Sequence, residues 1–196
     1  SKNFSSLVSV DQEKRQASVQ PGIVLDQLNA RLKQHGLFFP VDVSTSSRAT
    51  IGGMTANNSC GAQSIRYGKM VDNVREVDAV LADGSSMRFG KWDEGTASAV
   101  PQRQQKLVSQ LIDLGTRESE EVARRFPRVQ RRVGGYNLDV LSTEPGSSLN
   151  LAQLLVGSEG TLAVSSQIIL NLQPIPEHKV LGICRFPTFY QAMETT

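Results

Sequence analysis

The sequence predicts an α+β domain with an antiparallel or mixed sheet and flanking helices, on three observations. Short β-type runs come in pairs around polar turns. Two longer stretches carry apolar residues at helical spacing. No Gly-x-Gly-x-x-Gly stands between a strand and a helix, which argues against a doubly wound dinucleotide fold.

Leu7 to Val10 and Ala17 to Val19 flank the polar turn Asp11 to Lys14 and read as a hairpin, with Pro21-Gly22 punctuating its end. Val24, Leu25, Leu28, Leu32 and His35 then predict an amphipathic helix over Ile23 to His35, with Gly36 as its C-terminal cap. From Pro40 to Gly68 large apolar residues are sparse among Gly, Ser, Thr, Ala and Asn, so forces other than hydrophobic packing should hold this stretch. Val74 to Leu81 and Ser86 to Phe89 form a second hairpin around Asp83-Gly84.

Trp92 to Val100 reads as irregular, and Gln102 to Leu114 as a helix through Leu107, Val108, Leu111 and Ile112. Arg117 to Arg125 adds a helix with Glu120–Arg124 and Glu121–Arg125 at i,i+4, stopped by Pro127. Leu151 to Leu155 is a short apolar turn of helix or strand. Thr161 to Leu172 and Val180 to Phe186 are expected strands, and FPTFYQAMETT opens a last helix. There is no internal repeat.

Composition narrows the function classes. The 196 residues carry 39% hydrophobic and 20% charged residues, ordinary for a globular domain. A net charge of +2 gives no electrostatic case for nucleic acid or an anionic membrane, and no apolar run is long enough to span a bilayer. Cys60 and Cys184 read as free thiols in a reducing compartment. With only His35 and His178 beside them, no metal site is expected. SKNFSSLVSV lacks the features of a signal peptide and an initiator Met, so the chain is expected to be a piece of a longer polypeptide.

Four segments are candidates for chemistry. Ser44 to Asn58 places hydroxyls before a helix-compatible piece, opened by Ala49-Thr50, with Gly52 and Gly53 inside it. Glycines admit a ligand to the backbone, and free N–H groups at a helix N-terminus attract phosphate. The segment therefore reads as a pyrophosphate cradle or as a flexible Gly/Ser loop. In Gly61 to Gly68, Arg66 could pair with an anion and Tyr67 pack on a flat ring, or both could be structural. Gly157-Ser158-Glu159-Gly160 is a tight turn into a strand or a backbone approach to a ligand. The run Arg124, Arg125, Arg128, Arg131, Arg132 is a solvated face or a docking site, without the aromatic interleaving of a nucleic-acid surface.

In order, Val19-Gln20-Pro21-Gly22, Ala49 to Asn58, Arg66-Tyr67-Gly68, Leu81-Ala82-Asp83-Gly84 and Gly157 to Leu162 resemble the FAD-binding domain of the vanillyl-alcohol-oxidase (p-cresol-methylhydroxylase) type. Within it the chain is most similar to the D-lactate and D-2-hydroxyglutarate dehydrogenase branch. Phe126-Pro127 through Arg131 to Asp139 resembles the large bacterial members that append an iron–sulfur domain. The resemblance covers about Leu7 to Ala192.

It implies the second subdomain of such an FAD-binding domain over 1–174 and the start of a substrate-binding cap over 175–196, with the first subdomain and its pyrophosphate loop upstream. FAD would lie against Pro40, Asp42, Ser44, Thr45, Ser46, Ala49, Thr50, Ile51, Gly52, Gly53, Thr55, Asn57, Asn58, Gly61, Tyr67 and Gly68, and against Glu159, Gly160, Leu162 and the backbone of Val164. Arg66 and Tyr136 would face the substrate. Where the family has Gly after Thr-Leu, this chain has Ala163. The implied reaction is oxidation of a D-2-hydroxy acid, with hydride passing to flavin. Its acid–base groups are expected in the cap, so no catalytic residue is assigned here and the chain alone is expected to be inactive. The implied setting is cytoplasmic, at the inner face of the membrane, with an electron acceptor there and an iron–sulfur cluster in another domain of the same chain. Two alternatives stay open: another branch of the family, such as an alcohol oxidase or ether-lipid synthase, and a non-catalytic module that docks through the arginines.

Overall fold

The structure, a computed structural model, describes residues 4–141, 149–178, 180 and 182–195. The first hairpin forms as expected, from β1 (Leu7–Asp11) and β2 (Gln16–Val19). Helix α1 (Leu25–Leu32) runs into a 3₁₀ turn, Lys33–His35, and stops at Gly36, whose N–H bonds the Lys33 carbonyl. It buries Leu25, Leu28 and Leu32 and presents the polar face between them to solvent. A short strand β3 (Leu37–Phe38) follows, then the glycine-rich stretch with three short helices: α2 (Ile51–Ala56), α3 (Ser64–Tyr67) and α4 (Met70–Asn73).

The second hairpin is β4 (Val74–Val80) and β5 (Ser86–Phe89). Beyond it lie β6 (Lys91–Trp92), α5 (Glu94–Ala99), α6 (Gln102–Arg117) and α7 (Ser119–Arg125). Then come β7 (Leu149–Asn150), α8 (Ala152–Leu155), β8 (Val164–Asn171), β9 (Gln173–Pro174) and α9 (Phe189–Thr195).

Five strands make one sheet in the order β1-β2-β8-β4-β5, antiparallel at every pairing. The last long strand thus sits at the centre and joins the two early hairpins. Ile168 pairs with Val19 on one side and Val77 on the other, and Leu170 with Ala17 and Val74. All six side chains are buried, because every second residue of a strand meets the same face. Helices α1 and α8 pack with this sheet, and the core runs on through Phe39, Val41, Ile51 and Met54.

Three local expectations are corrected. Trp92 to Val100 is not irregular. Asp93 caps α5 by accepting the Thr96 N–H at 2.9 Å, a cap that organises a segment with too few apolar residues to show a helical period. Val180 to Phe186 forms no strand at its described residues. Val180 and Ile183 are exposed, and an apolar run that buries no face gains little from becoming a strand. In α7, Glu121 pairs with both Arg124 and Arg125, while Glu120 pairs with neither. Among the described residues no helix is long and apolar enough to cross a membrane.

Pro40 to Gly68 is held largely by hydrogen bonds, as its composition requires, with Val41, Ile51 and Met54 as its few anchors in the core. Asp42 accepts the Gln63 N–H, Ser64 Oγ accepts the Gly61 N–H, and Asn58 Oδ1 accepts the Val71 N–H, all at 3.0 Å.

Two outcomes are expected. Ile168→Ala removes a fully buried side chain from the central strand and should cost about 3 kcal/mol in chemical denaturation. Three surface aspartates are held below the usual carboxylate range: Asp11 by the Lys14 N–H, Asp83 by the Ser85 hydroxyl and N–H, and Asp93 by the Thr96 N–H and hydroxyl. The unfolded chain therefore binds more protons, so this contribution is present above about pH 4 and is lost as pH falls further. Unfolding midpoints measured between pH 3 and pH 6 should fall at the acid end, with a shallower fall in Asp93→Asn.

Candidate functional site

Helix α2 is only six residues long and contains two glycines, so it has little intrinsic stability. Distant backbone secures both of its ends. At the N-terminus the Ile51 N–H bonds the Ile23 carbonyl at 2.9 Å and the Gly52 N–H bonds the Pro21 carbonyl at 2.7 Å. Thr50 Oγ1 caps the Gly53 N–H at 3.2 Å. At the C-terminus, the carbonyls of Thr55 and Ala56 accept the N–H groups of Gly157 and Glu159, at 2.9 and 3.0 Å.

This corrects one part of the cradle expectation. The first amides of α2 are not free to bind phosphate, because Ile23, Pro21 and Thr50 already occupy them. Two glycine-bearing segments far apart in the chain become neighbours here. Between them lies a groove of about 510 Å³. Thr50, Gly52, Gly53, Thr55 and Ala56 form one side, and Ser158, Gly160, Ala163 and Val164 the other, with Pro21 and Gly22 at one end. Its lining is mainly apolar and, among the described residues, contains no charged side chain. It can receive an extended, flat or sugar-like body by shape, and it offers no cation to a phosphate.

The two glycines of α2 differ. A Cβ on Gly52 would sit 2.6 Å from Pro21 Cβ and 2.9 Å from its carbonyl oxygen, so this glycine lets α2 lie on the turn that precedes α1. A Cβ on Gly53 would meet only Thr50 Oγ1, at 3.1 Å, and Gly53 is exposed in the groove.

Across the groove, Gly157 has φ +85°, and a Cβ there would stand 3.3 Å from both Asn58 Cβ and the Gly135 carbonyl. The carbonyls beside it are held by a buried amide: Asn137 Nδ2 donates to Val156 at 2.8 Å and to Gln153 at 3.1 Å. Arg132 in turn donates to both Asp139 oxygens, at 2.7 and 2.6 Å, and lies 4.6 Å over the Phe126 ring. Tyr136 shares a 2.8 Å hydrogen bond with Thr161 Oγ1, on the same loop as Gly160. Within the arginine run, Arg124, Arg125, Arg128 and Arg131 are exposed and Arg132 alone is mostly covered. Arg124 and Arg125 pair with Glu121, Arg131 donates to the Gly61 carbonyl, and Arg132 is largely buried.

Of the anticipated cofactor contacts, Thr50, Gly52, Gly53, Thr55, Gly160 and Val164 line this groove. Ile51 points into the core, and Asn58 is buried with its side chain engaged on Val71. Ala49 supports α1 through the Leu25 N–H, and Asn57 caps α2. Glu159 is exposed with φ +51°. Ser44, Thr45 and Ser46 form a turn tied to α1, where Ser46 accepts the Asp26 N–H. Pro40 is buried, and Gly61 presses on Asp42, where a Cβ would stand 1.9 Å from the Asp42 carbonyl oxygen. Leu162 faces a different depression, with Asp83 and Arg103.

Tyr67 lines a groove elsewhere; its ring meets Phe38 edge-on at 5.9 Å and carries Arg66 at 5.1 Å. Gly68, at φ +78°, lies beside Asp72. Sequence reasoning missed Ala56, Val80, Leu155, Ser165 and Ser166 as groove residues. Their residue types gave no signal; Val80, Ser165 and Ser166 come there through the pairing of β4 with β8, Ala56 on α2 and Leu155 on α8.

Among known protein families, residues 1–90 match one described as FAD binding domain. The chain is 36% identical over 196 residues to D-2-hydroxyglutarate dehydrogenase of Pseudomonas putida strain KT2440, covering 98% of this chain and 19% of that one. It is 32% identical over 176 residues to the mitochondrial D-lactate dehydrogenase [cytochrome] of Arabidopsis thaliana, covering 90% and 22%. Among solved structures, an alkyldihydroxyacetonephosphate synthase shares the fold, with a TM-score of 0.57 at 18% identity over 91% of this chain and 23% of that one. The chain thus spans about a fifth of the length of these relatives.

The geometry of α2 separates its two glycines experimentally. Gly52→Ala should destabilise the fold by about 1–3 kcal/mol through the clash with Pro21. Gly53→Ala should stay within about 1 kcal/mol of the parent in the same denaturation series.

Proposed function

We propose, from the premise that this chain carries an FAD binding domain and is homologous along its length to D-2-hydroxyglutarate and D-lactate dehydrogenases, that it forms part of the cofactor wall of a flavin-linked D-2-hydroxy-acid dehydrogenase. The observation that carries this reading is the groove, where backbone hydrogen bonds join Thr50–Ala56 to Gly157–Gly160. An extended cofactor needs a shallow channel with small residues along its floor. Gly53, exposed in the groove and with only Thr50 Oγ1 near where a Cβ would stand, suits that role.

In this reading the groove side chains position and exclude water. Thr50 and Thr55 are already committed to α2, and Ser158 is buried at its edge. The flavin, when bound, supplies the redox chemistry by accepting the hydride that leaves the substrate α-carbon. The neutral lining implies that the pyrophosphate charge is met by residues outside this groove, in line with a phosphate loop upstream in the longer protein.

The same reading divides the chain into a cofactor region over 1–174 and the start of a substrate cap over 175–196. The remaining parts of the reading rest on the resemblance alone: a cytoplasmic setting at the inner face of the membrane, an electron acceptor there, and an iron–sulfur cluster elsewhere in the longer protein. In the docking alternative the exposed Arg124, Arg125, Arg128 and Arg131 would carry the contact, with Arg132 held back by Asp139.

The longer protein should bind FAD saturably and lose its flavin absorbance on reduction by a D-2-hydroxy acid from a panel. Gly53→Leu should weaken FAD binding at least tenfold while leaving the unfolding midpoint near that of the parent. Unchanged FAD occupancy in Gly53→Leu would exclude this groove as the cofactor site, and a panel that leaves the flavin oxidised would exclude the dehydrogenase reading. This chain alone should bind FAD weakly or not at all.

A further inference from the structure

The turn that forms one side of the groove is conformationally strained. Between α8 and β8, Gly157 has φ +85°, Glu159 +51° and Gly160 +75°. Glycines adopt this left-handed region freely, but Glu159 carries a side chain there. Such a residue persists only where its surroundings fix it. The Glu159 N–H reaches the Ala56 carbonyl at 3.0 Å, and the Gly157 N–H reaches that of Thr55 at 2.9 Å. The shape of this turn therefore sets the distance across the groove.

One short segment grips the turn at both ends. Before the turn, the buried Asn137 amide donates to the Val156 carbonyl at 2.8 Å. After it, the Tyr136 hydroxyl meets Thr161 Oγ1 at 2.8 Å. The direction of that second bond follows from Thr161. Its hydroxyl has one hydrogen, which goes to the Ser158 carbonyl at 2.6 Å. Thr161 Oγ1 therefore accepts, and the Tyr136 hydroxyl donates. The bonds run from Tyr136 to Thr161 to Ser158, and Ser158 lines the groove.

We infer that Tyr136 is a positioning residue, which acts through Thr161 to hold the turn over 157–160 in the shape that receives the cofactor. The inference rests on the cofactor reading of the groove and deepens it. Without the hydroxyl, the empty turn visits other conformations, and binding must recover the one that fits. Because the donated proton is engaged within the chain, the phenol turns only acceptor lone pairs outward. A substrate carboxylate gains nothing from it.

The test is FAD titration of the longer protein and of its Tyr136→Phe, Thr161→Val and Thr161→Ser variants, followed by flavin fluorescence. Both residues are exposed, so the unfolding midpoints should stay near the parent's. Tyr136→Phe should weaken FAD binding roughly fivefold, the scale of one hydrogen bond between neutral groups. Thr161→Val should weaken it at least as much, and Thr161→Ser should match the parent. Tyr136→Phe added to Thr161→Val should weaken it no further. At saturating FAD, the KM for a hydroxy acid should be unchanged in Tyr136→Phe. Unchanged FAD affinity in Tyr136→Phe, effects that multiply in the double variant, or a raised KM at saturating FAD would overturn the inference. Amide exchange in this chain separates the two readings, because it needs no cofactor. The Glu159 N–H should exchange roughly fivefold faster in Tyr136→Phe. A parent that binds no FAD, with faster exchange in the variant, sinks the cofactor reading and leaves the hold on the turn standing. A parent that binds FAD, with affinity and exchange unchanged in the variant, sinks the role of Tyr136 alone.

Discussion

A helix of six residues cannot stand by itself, and the architecture around the first groove follows from that constraint. Four backbone hydrogen bonds close the ends of α2, two to the turn before α1 and two to the turn before β8. Each leaves one fewer orphan polar group at a helix end and fixes one distance between distant parts of the chain. The groove is the space left between these tethers. Its shape is a by-product of satisfying the backbone, which is why glycines occur where chain segments cross: Gly52 lies on Pro21 and Gly157 against Asn58 and Gly135.

Charge is distributed by a different rule. The first groove is neutral, and the arginines near it are consumed internally. Arg132 is anchored by Asp139 and stacked on Phe126, so it acts as a structural pin behind the Asn137 amide. Exposed pairs such as Lys91–Asp93 contribute little to stability, and their effect is to order local turns. The groove walled by α1, β3, α3 and the segment after β9 is the reverse case, with Arg66 beside the Tyr67 ring and no acid along its described lining.

Much of the fold is legible in the sequence, because its signals are local. Both hairpins and α1 follow from turn residues and apolar spacing within a dozen positions. Helix α5 was illegible for a physical reason: a cap formed by Asp93 and Thr96 organises it, with no apolar stripe to reveal a period. At Val180 to Phe186 the apolar composition misled, since its described residues bury no face against the sheet. At the site, Gly52 and Gly53 were recognisable as unusual, but their separate jobs were not. The occupation of the α2 amides by Pro21, Ile23 and Thr50 depends partly on long-range pairing that no local motif encodes. Tyr67 and Leu162 face depressions other than this groove.

The double tethering of α2 also sets how this region moves. A free helix of six residues would fray within nanoseconds to microseconds, exchanging its amide protons almost as fast as a random coil. Here the Ile51 and Gly52 amides bond to carbonyls beside the sheet, and the carbonyls at the other end are held by the loop that leads into the central strand. Opening this short helix therefore requires the turn before α1 or the approach to β8 to open as well. The groove floor inherits the slow breathing of the sheet, so a ligand resting there meets a surface already set before it arrives.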